Sequence, residues 1–540
     1  MRHRSTDRID LSGRWRFGLD RDGVGDPDRD LTGTITLPGT TDEAGKGQRA
    51  TERAPDHLTR RHRYEGVARY RRIVDVPSDW ERKRIVLHVE RTRPLEVRVD
   101  GTPVGEGESL STPQTYDLTD HLDPGAHTLT LRIDTASEPI TLPGVQRSHA
   151  ATEHTQTNWN GVIGDLALFA TDRVWIDDCQ VYPDPAAGSA RVELTVGNRT
   201  AGPVEGSIRL SAAHVDGTHT VEATTESISV DGESATVTVD YDLEDPRTWD
   251  EFDPNVYELA ATLEARSGSG EYSDALRTTF GVRSFERAGT QFSVNGRRTF
   301  LRGNVDCCVF PETGYPPTDV ASWRERFETA REYGLNHYRF HSWCPPEAAF
   351  RAADELGLYL QVELPLWNSE SAFETKAARA FYRAEAERIL DAYGNHPSFV
   401  AFALGNELVG ETAAMGNLVE TCRERDPRHC YACGSYNDLD DGTLTAADDY
   451  WVTASVPTGS ADEDAERTTV RGGAIDESPP ATTTDYRAAV EAVPVPIVAH
   501  EIGQYQTYPD FAGLDRYDGV LAPWNLELKR DHLEAHGLVD

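Results

Sequence analysis

The periodicity of the apolar residues changes once along this chain, near Phe285, and that change constrains the fold more than any other feature. Before it, apolar side chains recur at every second position. Leu95, Val97 and Val99 alternate with Glu96 and Arg98, and Leu129, Leu131 and Ile133 repeat the pattern. Val192, Leu194 and Val196 do so again, as do Ala235, Val237, Val239 and Tyr241. A spacing of two buries one face of a strand and wets the other. Turn signals separate the runs at Asp100-Gly101, Pro124-Gly125 and Gly197-Asn198. No helical spacing intervenes, so residues 1–172 read as one β-sandwich, with Trp15 and Phe17 in its core. Residues 173–282 read as a second sandwich of immunoglobulin-like length.

After Phe285, short apolar strands alternate with helical segments, which predicts repeated βα units and a parallel barrel. Seven strands can be placed, at 299–302, 335–341, 358–363, 399–404, 430–434, 449–454 and 496–500. Asp319 caps a helix that Gly334 ends, and Pro346 opens one that Gly357 stops. Residues 376–393 and 525–536 form two more. The pattern contains no eighth strand before Asp540. The expected third domain, 283–540, is therefore a (β/α)8 TIM barrel lacking its last βα unit. It is either truncated at the C-terminus or completed by another segment, since open strand edges need partners.

Composition bounds the partners. The net charge is -37, from 91 acidic and 54 basic residues, and only four of the basic residues are lysines: Lys46, Lys83, Lys376 and Lys529. Such a surface repels itself in dilute buffer and is screened at molar salt, which predicts a halophilic, haloarchaeal-type protein. It argues against nucleic acid as a partner. No apolar run is long enough to span a membrane, and none follows the basic start, so a cytoplasmic protein is expected. Seven cysteines, an odd number clustered late in the chain, do not make a disulfide framework. Cys430 and Cys433 form a lone C-x-x-C without the further ligands that zinc needs, so no metal or organic cofactor is expected.

Active sites of barrels sit at the carboxyl ends of the strands. Glu407 follows the apolar run that ends in Leu404-Gly405-Asn406, and Glu501 follows Ile497-Val498-Ala499-His500. They lie on the fourth and seventh strands. A charge there is costly unless it faces a cleft or a partner. Two carboxylates across a barrel mouth suit glycoside hydrolysis, in which one protonates the leaving oxygen and the other attacks the anomeric carbon. Glu363, ending the third strand, is the rival acid. It lacks the preceding asparagine and is read as supporting the pair or binding sugar.

With Asn406-Glu407 on the fourth strand and a glutamate ending the seventh, the chain resembles the large clan of (β/α)8 glycosidases. The domain order resembles glycoside hydrolase family 2, which includes β-galactosidases, β-glucuronidases and β-mannosidases. Further stretches carry the likeness: Phe280-Gly281-Val282-Arg283, Val294-Asn295-Gly296, Leu301-Arg302-Gly303, Ala68-Arg69-Tyr70-Arg71-Arg72 and Gly161-Val162-Ile163-Gly164. The resemblance implies a jelly-roll first domain and a retaining exo-β-glycosidase, β-galactosidase-like, that hydrolyses O-glycosyl bonds by double displacement. It implies Glu407 as acid/base, Glu501 as nucleophile, Asn406 on the sugar 2-hydroxyl and Arg339 holding Glu501 ionised. His341 and Trp343 share the loop after Arg339. Asp306, Trp367 and Tyr450 are pocket candidates, and His500 either orients Glu501 or fills the barrel. The asparagine–lysine signature by which family glucuronidases grip a carboxylate is not evident here. The expected partner is a β-glycoside or oligosaccharide, and a homo-oligomer is compatible with the sequence. Two alternatives remain open, a catalytically inactive carbohydrate-binding remnant and one part of a split glycosidase.

Overall fold

The computed structural model describes residues 3–4, 7–21, 23, 31–369, 372–435, 444–453, 455–457, 467–469, 493–501 and 509–538. Ala454, at the end of the expected sixth strand, lies outside them. Two antiparallel sheets form the first domain. One orders Thr102–Gly107, Leu95–Val99, Gly125–Asp134, Val67–Val76, Gly13–Asp20 and Gly33–Leu37; the other centres on Arg84–Arg91 and Gly161–Thr171. Leu95, Val97 and Val99 pair with Ile133, Leu131 and Leu129, and all six side chains are buried. Trp15 and Phe17 join the same core.

The second domain pairs Ser189–Asn198 between Val174–Asp184 and Ser234–Asp242. A second sheet is built on Val204–His214, Thr220–Val230, Tyr257–Ser267 and Gly270–Phe280. Its core holds Val192, Leu194, Val196, Val239 and Tyr241.

Beyond Phe285 the chain makes a short antiparallel sheet of Phe285–Ala288, Gln291–Val294 and Arg297–Thr299 before the parallel strands begin. The first parallel strand is β1, Gly303–Asp306, not 299–302. Phe300 looked like a strand residue, but it is 76% exposed. Asn304 and Val305 instead take the pairing positions against Tyr338 and Arg339. β2 (His337–Phe340), β3 (Tyr359–Glu363), β4 (Phe399–Ala403) and β5 (Cys430–Ala432) follow in chain order, all parallel. Parallel bridges from Ser435 to Asn406 and to Val452 carry the sheet on to β6, Trp451–Thr453, which pairs with β7, Ile497–Ala499. Among the described residues β1 pairs only with β2.

Helices return between the strands. In α1 (Val320–Glu332), Asp319 accepts a hydrogen bond from Ser322 N at 2.8 Å, satisfying one of the free amides of the first turn. α2 (Glu347–Leu356) ends on Gly357, whose φ of 73° suits glycine. α3 (Lys376–Tyr393) and α4 (Thr412–Arg425) cover β3 to β5. The helix-facing side chains Leu360, Val362 and Phe402 pack in one apolar layer. Tyr359, Ala401, Ala403, Tyr450 and Val452 pack in another with Phe285 and Phe292 of the short sheet. Among the described residues no helix is long and apolar enough to cross a membrane.

Candidate active site

At their carboxyl ends β2, β3, β4 and β7 present one connected set of polar groups. Arg339 on β2 is its hub. Its Nε donates to Glu363 Oε1 at 2.7 Å, one terminal nitrogen donates to Asn406 Oδ1 at 2.6 Å, and the other lies 3.5 Å from Glu501 Oε1. His500 Nε2 lies 3.1 Å from Asn406 Oδ1 and 3.2 Å from Glu501 Oε1. His341 Nε2 approaches the same Glu501 oxygen at 3.3 Å. Glu407 accepts the indole N–H of Trp367 at 2.9 Å on Oε2, and its own backbone N–H donates to Ser435 O at 2.7 Å. Glu501, Arg339, Asn406, His341, His500, Trp367 and Glu407 therefore form one constellation.

The backbone there is strained. Glu407 and Glu501 sit at φ of 49° and 47°, and Ser342 and Asn368 beside them at 54° and 37°. A non-glycine residue in that region costs roughly 1–2 kcal/mol, and it persists only where the surroundings over-determine it. Glu407 turns the chain beyond β4, which is buried throughout, and Glu501 turns it beyond β7, which is half-buried to exposed.

Electrostatics separate the acids. Burial alone would raise the Glu501 carboxyl. The hydrogen bonds from His341 and His500 and the charges of His500 and Arg339 outweigh it, holding the group well below the usual carboxylate range. Glu363 has no exposed surface. Its four donors are Arg339 Nε, Gln361 Nε2 at 3.2 Å, Ser435 Oγ at 2.7 Å and Ser342 N at 2.7 Å. Burial would raise its pKa too, but the charges of Arg339 and His341 and the hydrogen bonds from Arg339 and Ser342 N lower it. Glu363 is a support for Arg339, with no free face for a sugar. Asn406 is fully buried, and among the described residues its Nδ2 has no hydrogen-bond partner. A buried amide donor left open is costly unless a ligand fills it.

The remaining sequence candidates are placed differently. Trp343 is 2% exposed. Its indole donates to Asp306 O at 2.9 Å, and its ring packs on Trp323, Phe340 and Phe310. It is part of the apolar layer under α1 and does not meet the carboxylates. Asp306 accepts from Cys308 N at 2.8 Å, and burial pushes its carboxyl up to about 6. Tyr450 is buried against Phe292 at 5.9 Å between ring centres. Sequence reasoning did not single out Gln361, Ser435, Ser342 or His149. Ser342 and Ser435 are short polar residues just past strand ends, a signal that resembles any loop, and Gln361 is one polar residue in the middle of β3. His149 comes from the first domain and carries no local signal at all.

Residues 174–283 match the family model for glycosyl hydrolases family 2. Over wider stretches the chain is 22% identical to a β-galactosidase of Priestia megaterium, covering 64% of this chain and 34% of that protein. It is 23% identical to a β-glucuronidase of Paenibacillus borealis, covering 78% and 71%. The chain thus spans about a third of the length of some relatives and more of others. Among solved structures, the family 2 β-galacturonidase of Eisenbergiella tayi bound to galacturonate superposes with a TM-score of 0.70 at 17% identity, over 94% of this chain and 84% of that one. Bacteroides uniformis β-glucuronidase gives 0.68 at 18% identity, over 83% and 55%. The solved structures show a multidomain fold of β-sandwiches joined to a β/α domain, and the family 2 match lies in the second sandwich.

Proposed function

We propose that the chain acts as a retaining exo-β-glycosidase of β-galactosidase type, hydrolysing O-glycosyl bonds by double displacement. The observation that carries this reading is the single network from Glu501 through Arg339 to Asn406, with Glu407 as the next residue and Trp367 on its carboxylate. Glu501, kept ionised by Arg339, His341 and His500, attacks the anomeric carbon. Glu407 delivers a proton to the departing oxygen and then takes one from the water that releases the sugar. The open Nδ2 of Asn406 takes the 2-hydroxyl of the sugar, a contact that strengthens as charge develops on the ring. No cofactor enters these steps.

The test uses aryl β-glycosides at molar salt. Glu501→Gln should abolish covalent trapping by a 2-fluoro sugar. Glu407→Ala should keep much of its rate with a good leaving group, and azide should restore more. Trapping of Glu501→Gln at the wild-type rate would remove Glu501 as nucleophile. A Glu407→Ala loss equal across leaving groups would remove Glu407 as acid/base. A second reading, a glycosidase whose sheet is completed by a further segment, is favoured by β1. It pairs on one side only among the described residues, and Gly303, Asn304 and Val305 are exposed.

A further inference from the structure

Three rings pack together beside the two carboxylates, and one of them belongs to the first domain. The ring centre of His149 lies 4.4 Å from that of His341 and 5.1 Å from that of Trp367, and His341 and Trp367 are 4.9 Å apart. His341 is the ring whose Nε2 reaches Glu501, and Trp367 is the ring whose N–H binds Glu407. His149 therefore touches the support of each acid.

The imidazole is held firmly. His149 N donates to Ser342 Oγ at 2.9 Å, and Nδ1 lies 3.0 Å from His341 O, a carbonyl that only accepts. The proton is thus on Nδ1. Burial and the neighbouring His341 push the His149 pKa down to about 3, so the ring stays neutral at working pH. The segment that carries it is clamped onto the loop after β3. Trp367 N donates to Gly144 O at 3.1 Å, and Arg147 donates to Asn368 O. Gly144 lies so close that an added Cβ would sit 2.3 Å from Leu366 Cδ1. The 144–149 stretch is built to meet the active-site loop at one fixed distance.

We propose that His149 is a positioning residue lent by the first domain, whose ring fixes His341 and Trp367 and through them the geometry of Glu501 and Glu407. This rests on the assignment of those two glutamates. Without the ring, Trp367 and His341 gain room to turn. A misplacement of about 1 Å at a reacting group costs on the order of 100-fold in rate.

The test compares three substitutions in the intact chain at molar salt. His149→Ala removes the ring and the hydrogen bond. His149→Phe keeps a ring between His341 and Trp367, and His149→Asn keeps a donor without the ring. The readouts are kcat/KM on aryl glycosides and the 13C carboxyl titration of Glu501, assigned with Glu501→Gln. His149→Ala should lose about 10- to 100-fold in kcat/KM, more with poor leaving groups than with good ones. It should also move the Glu501 titration upward. His149→Phe should recover most of both effects, and His149→Asn should not. Unchanged rates and titration in His149→Ala, or equal recovery by Asn and Phe, would overturn the proposal. If His149→Ala does not fold, the contrast between Phe and Asn still decides it. If Glu407→Gln and Glu501→Gln turn over normally, the glycosidase reading is what has failed, and the carboxyl titration still reports whether His149 positions Glu501.

Discussion

Replacing Glu363 by glutamine tests how Arg339 is held. The side chains of Arg339 and Glu363 are 8% and 0% exposed. Arg339 Nε, Gln361 Nε2 and Ser435 Oγ all converge on Oε1, while Ser342 N reaches Oε2. Glutamine can place its oxygen on the three-donor side only by turning its NH2 toward Ser342 N–H, donor against donor. The buried guanidinium also loses its nearest counter-charge. Breaking a buried ion pair by removing one partner costs about 3–5 kcal/mol. Arg339 keeps Asn406 at 2.6 Å and Glu501 at 3.5 Å, so the loss should fall at the lower end, about 3 kcal/mol. Urea unfolding at constant molar KCl measures it. A second arm replaces both partners, as Arg339→Met with Glu363→Leu. That pair should be more stable than the sum of its single changes by about 1.5–3 kcal/mol, and it should be inactive. A loss below about 1 kcal/mol in Glu363→Gln, or simple additivity in the double variant, would refute the view that Glu363 exists to hold Arg339.

Three further outcomes follow from named contacts. His341→Ala removes a hydrogen bond that depresses the Glu501 pKa, so the carboxylate should protonate at higher pH; the acid limb of kcat/KM should move up toward the ordinary carboxylate range, and an unmoved limb would exclude His341 from this role. The same sign holds for stability. The contribution of a depressed carboxyl is full above its unfolded pKa and lost as pH falls through the folded one, so the variant should lose acid stability earlier in a pH-scanned thermal melt. Gly357→Ala would place a Cβ 2.9 Å from Glu251 Cα on left-handed backbone, and should cost at least about 1–2 kcal/mol of stability, measured by urea unfolding. Raising KCl from about 0.1 to 2 M should raise Tm, because a net charge of -37 is screened over a much shorter distance; a Tm that falls would argue against a halophilic surface.

Much of the fold could be read locally. A period of two marks Leu95, Val97 and Val99 because neighbouring side chains on a strand point to opposite faces, and all three are buried. Asp319 and Gly357 mark helix ends because the chemistry of a cap is carried by the capping residue itself. For the same reason local composition misplaces the start of the parallel sheet. Phe300-Leu301 has the strand-like composition, but Gly303–Asp306, a poor strand by composition, pairs with β2. Pairing is decided by the partner strand, and the segment's own propensity is the weaker term.

The two sandwiches, the switch to strand–helix alternation and two glutamates directly after apolar strands are legible along the chain, because periodicity and strand-end placement are properties of chain neighbours. What surrounds those glutamates is set by how the strands pack. Arg339, Asn406 and His500 converge from strands up to about 160 positions apart, Glu363 is withdrawn behind Arg339, and Trp343 is turned into the apolar layer. His149 reaches the site from another domain. Hydrogen bonds and ring contacts depend on distances in space, and the spacing of residues along a chain does not contain those distances until the strands are laid side by side.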